Sequence, residues 1–213
     1  MPGEPLPDRV SAYLESLVPP RPPELLAMEA YAGEHRFPII GPAAGYFCYL
    51  LARLTGARRV FELGSGYGYS TSWFARAVRE NGGGVVVHVV WDENLSHRAR
   101  RHLDVLGLGD VVDYRVGEAV QVLRGAEGPF DLIFNDIEKD GYPASLPVIT
   151  DKLRPGGLLV VDNALWHGRV FEPGDRSAAT QGVHAITRML TTDPAWITSL
   201  VPVRDGLLVA YKR

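Results

Sequence analysis

From Arg58 onward, short β-branched runs alternate with stretches of helical periodicity, and this alternation constrains the fold more than any other feature of the chain. The runs fall at residues 60–63, 85–90, 111–116, 132–136 and 158–162, with helical patterns at 70–79, 95–106, 117–123 and 143–153 between them. Parallel strands need long crossovers, and a helix is the usual one, so the pattern predicts a mostly parallel sheet with helices on both faces. A longer helix is expected at 178–190, followed by apolar runs at 197–203 and 207–212 around Asp205-Gly206. An Asp-Gly pair between apolar runs signals a hairpin, so the seven-stranded sheet should end in an antiparallel pair joined by a tight turn.

The first forty residues read differently. Pro19, Pro20, Pro22 and Pro23 interrupt two short amphipathic segments at 10–17 and 24–31. Proline suits a turn or a first helical position, which places helices on both sides. A third helix is expected at 42–54, ending near Gly56. At 213 residues the chain can bury one core, so the expectation is a single domain, with residues 1–55 a helical cap and 56–213 an α/β core.

Three glycines stand where the first strong strand turns into a helix, in Leu63-Gly64-Ser65-Gly66-Tyr67-Gly68-Tyr69-Ser70. Such a turn lets a ligand approach the main chain closely. The dinucleotide fingerprint needs glycine three positions after the second, where Tyr69 stands, which argues against a nicotinamide enzyme. The Gly-Lys-Ser/Thr ending of a phosphate loop is missing too. Glu62, two residues before the first glycine, offers a carboxylate to a cationic ligand, and S-adenosylmethionine carries an ammonium and a sulfonium. The alternative is that Glu62 only accepts turn amide hydrogens.

Two later strands end in acids, in Phe134-Asn135-Asp136 and Val161-Asp162-Asn163. In a doubly wound sheet the carboxyl ends of neighbouring strands converge on the ligand crevice. Asp136, Asp162 and Asn163 could then give three hard oxygen ligands to one divalent cation, and magnesium suits a site that keeps positions open for water or substrate. Lys139, three residues after Asp136, can point into the same crevice, where a desolvated lysine beside a cation can serve as a base. Spacing alone favours an ordinary exposed charged loop at Glu138-Lys139-Asp140.

The segments FELGSGYGYS, FDLIFNDIEKDGY, LRPGGLLVVDNALWHGRV and VRDGLLVAYKR, in this order, resemble the cation-dependent O-methyltransferases of the catechol and caffeoyl-coenzyme A type. The resemblance covers about residues 41–213, and Asp162-Asn163-Ala164-Leu165-Trp166-His167-Gly168 is its most specific element. It implies a Rossmann-like fold, S-adenosylmethionine as cofactor, a divalent cation, a small hydroxylated substrate with vicinal oxygens, and a homodimer. Carried over position by position, it makes Asp136, Asp162 and Asn163 metal ligands and Lys139 the catalytic base. Glu62, Gly64, Ser65 and Ser70 would hold the amino-acid end of the cofactor, Glu118 and Ala119 its adenine, and Ile40 with Gly41 would cross its methionine portion. Trp166 beside the ligands would wall an aromatic substrate or pack under its loop. In one departure, Val90 stands where the family has the acid that binds the ribose hydroxyls. Asp92 lies on the same side of that strand but roughly 6–7 Å further along, and it is the substitute on offer.

Composition narrows the partners. Hydrophobic residues at 46% and charged residues at 22% mark a globular chain. A net charge of -3 gives no general attraction to nucleic acid, and the basic cluster His97, Arg98, Arg100, Arg101 and His102 reads as a solvated helix face. Cys48 is the single cysteine and sits in an apolar stretch, so it is expected in the core. The opening Met1-Pro2-Gly3-Glu4 has no basic lead into an apolar run, and no stretch approaches the ~18 apolar residues of a membrane span, so a cytoplasmic protein is expected. Two alternatives stay open: a methyltransferase working without metal, and a degenerate member that binds its ligand without turnover.

Overall fold

The computed structural model describes residues 8–213, so the first seven residues of the expected cap, with the Met1-Pro2-Gly3-Glu4 opening, lie outside the described part. Three helices come first: α1 (Asp8–Ser16), α2 (Pro23–His35) and α3 (Gly41–Leu54). Pro23 opens α2, where its missing N–H is no loss, and Pro42 does the same for α3. The core follows as β1 (Arg59–Leu63), α4 (Tyr69–Glu80), β2 (Val85–Val90), α5 (Glu93–Val105), β3 (Val112–Val116), α6 (Ala119–Gly125), β4 (Phe130–Asn135), α7 (Tyr142–Lys152), β5 (Leu153–Val161), α8 (Ala178–Thr192), β6 (Trp196–Val201) and β7 (Leu207–Lys212).

The seven strands form one sheet in the order β3-β2-β1-β4-β5-β7-β6. Pairing is parallel from β3 through β5, and β7 runs antiparallel to both β5 and β6. The expected α/β, Rossmann-like architecture is therefore present. Strand residues alternate between two apolar layers, as a period of two requires. Val60, Leu132, Phe134, Leu158 and Val160 face the layer built with Met28, Cys48, Trp73, Phe74 and Leu103. Phe61, Ile133, Leu159 and Val161 face Leu123, Ile149, Ile186 and Leu190 on the other side. The cap helices thus share a core with α4 and α5, and Cys48 is buried in it.

Three details depart from the sequence reading. The strand expected from 158 begins at Leu153, which pairs with Phe130 across a register irregularity. The expected tight turn at Asp205-Gly206 is present, Gly206 N donating to Val203 O at 2.9 Å, but it sits inside a longer loop over residues 202–206 in which Asp205 also holds two other segments. The basic cluster on α5 is only partly a solvated face. The Arg98 guanidinium lies over the Tyr31 ring at 3.7 Å, Arg100 lies over Tyr114 at 4.2 Å, and His102 Nδ1 meets Glu24 at 2.5 Å. These contacts dock α5 against α2 and β3, while His97 and Arg101 stay exposed.

Candidate active site

Strand order reverses between β1 and β4, and at such a switch point the crevice opens beyond the carboxyl ends of the strands. A cavity of about 450 Å³ lies there. Volumes of this order hold small-molecule ligands. Ile40, Gly64, Ser65, Ser70, Ala119, Asp136, Lys139, Asp162, Asn163 and Trp166 all line it. Most of the residues singled out from sequence therefore converge on one space, although they come from segments far apart in the chain.

The floor at the β1 end is set by backbone. A Cβ on Gly64 would come within 2.4 Å of the Asp136 carbonyl oxygen, and its φ of +88° is the left-handed region, so glycine alone fits between β1 and β4. Ser65 Oγ accepts from Val89 N at 3.0 Å, tying the turn to β2. Helix α4 then starts with no side-chain cap on its first N–H groups, beside Tyr69 and Ser70 in the cavity wall. Such an uncapped helix start favours an anionic ligand group. The Tyr67 and Tyr69 hydroxyls bond to Met28 O and Glu29 on α2, so both rings pack the turn against the cap.

Glu62 does not reach the cavity wall. Its side chain is fully buried beneath the turn, and neither carboxylate oxygen has a hydrogen-bond partner among the described residues. Burial pushes its pKa up to about 7, against the opposing influence of the Ser70 and Thr71 hydroxyls. The reading of Glu62 as a mere acceptor of turn amide hydrogens therefore fails.

Asp92 and Glu118 are placed differently from their expected roles. Asp92 is the N-cap of α5, its carboxylate accepting from Asn94 N at 2.7 Å and Leu95 N at 3.4 Å, and it does not line the cavity. Glu118 caps α6 in the same way through Val120 N and Gln121 N. An acid just before a helix satisfies N–H groups that have no partner inside the helix, and that local demand outweighs a reach into the crevice. The cavity wall near them is instead Val90, Trp91, Gly117 and Ala119.

The β4–β5 end is built from side chains. Lys139 sits in a short 3-10 turn over Lys139–Gly141 and is buried, while its neighbours Glu138 and Asp140 are exposed. The exposed-loop reading is thus wrong for Lys139 and right for its neighbours. Helix α8 explains its burial: a Cβ on Gly182 would meet the Lys139 carbonyl oxygen at 2.0 Å, so this glycine lets α8 seat directly on the turn. Lys139 Nζ donates to Asp136 Oδ1 at 2.8 Å and to Ile137 O at 3.1 Å, with the Tyr142 and Trp166 rings 5.4 and 5.7 Å away.

Asp162 is buried, and its Oδ1 has no partner among the described residues. Burial and the Asp136 carboxylate push its pKa up, and Arg204 and Lys139 act against them. Burial also raises Asp136, opposed first by Lys139. Asn163 Nδ2 donates to Asp205 Oδ2 at 2.9 Å, which leaves its amide oxygen available as an acceptor. Asp205 also accepts from His167 N at 2.6 Å, so it fixes both sides of the 163–167 loop. Two carboxylates that disfavour each other's charge, an unpartnered carboxylate oxygen and a free amide oxygen form a donor set that fits a hard divalent cation.

Arg204, Asp205, Trp91 and Phe37 belong to the site or its support and were missed. Asp205 was assigned to its turn on the strength of the Asp-Gly pair, and an arginine in a hairpin loop carries no signal of its own. Five non-glycine residues among those described have positive φ. Arg36 closes α2, and the other four, Asn163, Trp166, His167 and Arg204, all line the cavity. Such conformations cost on the order of 1–3 kcal/mol each and persist only where the surroundings hold them.

Comparison with known proteins agrees with this geometry. An O-methyltransferase family model matches residues 25–213. The chain belongs to the O-methyltransferase family. It is 34% identical over 215 residues to a catechol O-methyltransferase from Niastella koreensis, covering 95% of this chain and 96% of that one. The O-methyltransferase TomG from Streptomyces achromogenes, involved in tomaymycin synthesis and solved in complex with SAM, superposes with a TM-score of 0.84 at 29% identity, covering 96% of each chain. An O-methyltransferase from Bacillus cereus in complex with SAH gives 0.86 at 27% identity, covering 96% of this chain and 97% of that one. As an O-methyltransferase the chain needs a place for a methyl donor and a place for an oxygen acceptor.

Proposed function

We propose that this O-methyltransferase moves the methyl group of S-adenosylmethionine to one of two vicinal hydroxyls on a small, catechol-like substrate held by a divalent cation. The observation that carries the reading is the convergence of Asp136, Lys139, Asp162 and Asn163 on the cavity that the Gly64 turn also lines. Solved neighbours that hold SAM or SAH support the donor, and the catechol O-methyltransferase relative supports the acceptor.

At the donor end, the α4 start suits the cofactor carboxylate, and the Glu62 carboxylate, buried beneath the turn and not in the cavity wall, would favour its ammonium through the field of its charge and not by direct contact. Ile40, Gly64, Ser65, Ser70 and Ala119 would line its path. At the acceptor end, Asp136, Asp162 and Asn163 would hold the cation, with magnesium the expected ion. When bound, the cation lowers the pKa of a hydroxyl it touches, and S-adenosylmethionine supplies an electrophilic methyl. Lys139 Nζ, held by Asp136 and Ile137 O, would take the hydroxyl proton. Trp166 walls the side of the acceptor space and orients a flat ring. The chain's remaining task is to hold oxygen and methyl in line and exclude water, a contribution of up to about 7–11 kcal/mol in model systems.

The working unit is a single domain, residues 1–213, acting in the cytoplasm on a small molecule. No described helix is long and apolar enough to cross a membrane. An apolar depression lined by Leu14, Leu17, Tyr46, Phe47, Leu50 and Val203 supports a homodimer through α1, α3 and the β6–β7 loop. Light scattering should report twice the chain mass, and Leu50→Glu should shift it to the monomer.

The test is a methyl-transfer screen over catechols and aliphatic vicinal diols, with magnesium and after thorough chelation. Turnover of at least one vicinal-oxygen compound, lost on chelation and restored by magnesium, is expected. Full activity in metal-free protein would favour the metal-independent reading, and cofactor binding without any turnover would favour the degenerate member.

A further inference from the structure

Arg204 lines the cavity beside Asp162, Trp166 and His167, yet nothing in the proposed reaction uses it. Its backbone has φ +53°, a conformation that glycine would adopt without strain and arginine does not. The side chain stem lies over the first residue of α3, where a Cβ on Gly41 would sit 3.7 Å from Arg204 Cδ. Of the five donor hydrogens on its guanidinium, one reaches a described partner: Nη1 meets Asp162 Oδ2 at 3.4 Å, the outer limit of a hydrogen bond. A bidentate pairing with Asp162 would serve a structural role better, and it is not made.

The charges in the acceptor end match in pairs. Asp136 faces Lys139 at 2.8 Å and Asp162 faces Arg204 at 3.4 Å, so two carboxylates meet two basic side chains. A divalent cation on both carboxylates would leave both basic groups without their anions, Lys139 buried and Arg204 at the solvent-facing mouth of the cavity. Lys139 already has a part in the reaction. Arg204 would then present a planar fork of donors to the substrate, a geometry that matches a carboxylate or similar oxyanion.

The geometry points to Arg204 as a specificity-determining residue of the acceptor end, whose guanidinium receives an anionic group carried by the substrate in addition to its two vicinal oxygens. The inference rests on the cation-held, vicinal-oxygen reading above and narrows its substrate class to acidic diols and catechols.

The test compares 3,4-dihydroxybenzoate with neutral catechol on the full chain with magnesium, by calorimetric binding in the presence of S-adenosylhomocysteine and separately by kcat/KM with S-adenosylmethionine as donor. Arg204→Gly suits the left-handed backbone and should fold, and Arg204→Lys keeps the charge without the fork. The wild type should favour the benzoate, and Arg204→Gly should lower the benzoate-to-catechol preference by about ten-fold or more. Arg204→Lys should recover part of the preference. An unchanged benzoate-to-catechol ratio in Arg204→Gly would overturn the inference and leave the cation reading intact. Failure of the magnesium-loaded wild type to bind either compound would overturn the cation reading, and this inference with it.

Discussion

At the β1–β2 end of the cavity the wall is mostly main chain, small residues and hydroxyls: Gly64, Ser65, Ser70, Val90 and Ala119. At the β4–β5–β7 end it is charged side chains, and four of the residues there sit on left-handed backbone. The donor end binds a ligand of fixed chemistry, for which a turn and a helix start are enough. On the proposed reading the acceptor end has to hold, deprotonate and select; the structure gathers Lys139, Asp162, Asn163 and Arg204 there from three separate segments, with Asn163 and Arg204 on left-handed backbone.

The sharpest break of this contrast is Lys139→Ala. It should lower kcat by about 10²–10⁴-fold, as loss of a positioned base does, while calorimetry shows cofactor affinity within about two-fold of wild type. An unchanged rate would remove Lys139 from the chemistry, and a large loss of cofactor affinity would dissolve the division into two ends.

Glu62 probes the donor end from below. Its folded pKa of about 7 lies above the ordinary 4.5, so the folded state holds a proton that the unfolded state has released, and stability from this group falls as pH rises through that window. Glu62→Gln removes this slope, so the ligand-free variant should gain on the order of 3 kcal/mol relative to wild type between pH 4.5 and 7.5. It should also bind S-adenosylmethionine more weakly. Parallel pH–stability curves for the two proteins would show that the Glu62 carboxyl titrates alike in the folded and unfolded chain, and would contradict its upward shift.

Val90 tests whether the donor end is incomplete. It lines the cavity at the end of β2, where an acid would meet ribose hydroxyls, and Asp92 is committed to capping α5. Val90→Glu should tighten S-adenosylmethionine binding by about ten-fold, roughly 1.4 kcal/mol. A weaker affinity in a folded variant would mean that the cofactor binds in another way, with Trp91 as a ready wall.

Much of this was legible in the chain. Strand and helix alternation is a repeating signal, and Gly64, Asp136, Asp162 and Asn163 sit at strand ends, where topology alone brings residues together. Asp92 and Glu118 misled because an acid before a helix satisfies a cap or a ligand equally well in sequence, and the cap is nearer. Lys139 looked exposed because its burial comes from Gly182, more than forty residues away on α8. Asp205 looked like a turn residue, and only the fold shows its carboxylate reaching Asn163 and His167. Such long-range contacts leave no periodic trace.

On the proposed reading Asp136, Asp162 and Asn163 together hold one divalent cation. Titration of the full chain with manganese, followed by electron paramagnetic resonance of the free ion, tests it most directly. One bound ion per chain, displaced by magnesium and lost in Asp162→Asn, is the result expected. Equal manganese binding in wild type and Asp162→Asn, or none in either, would contradict it.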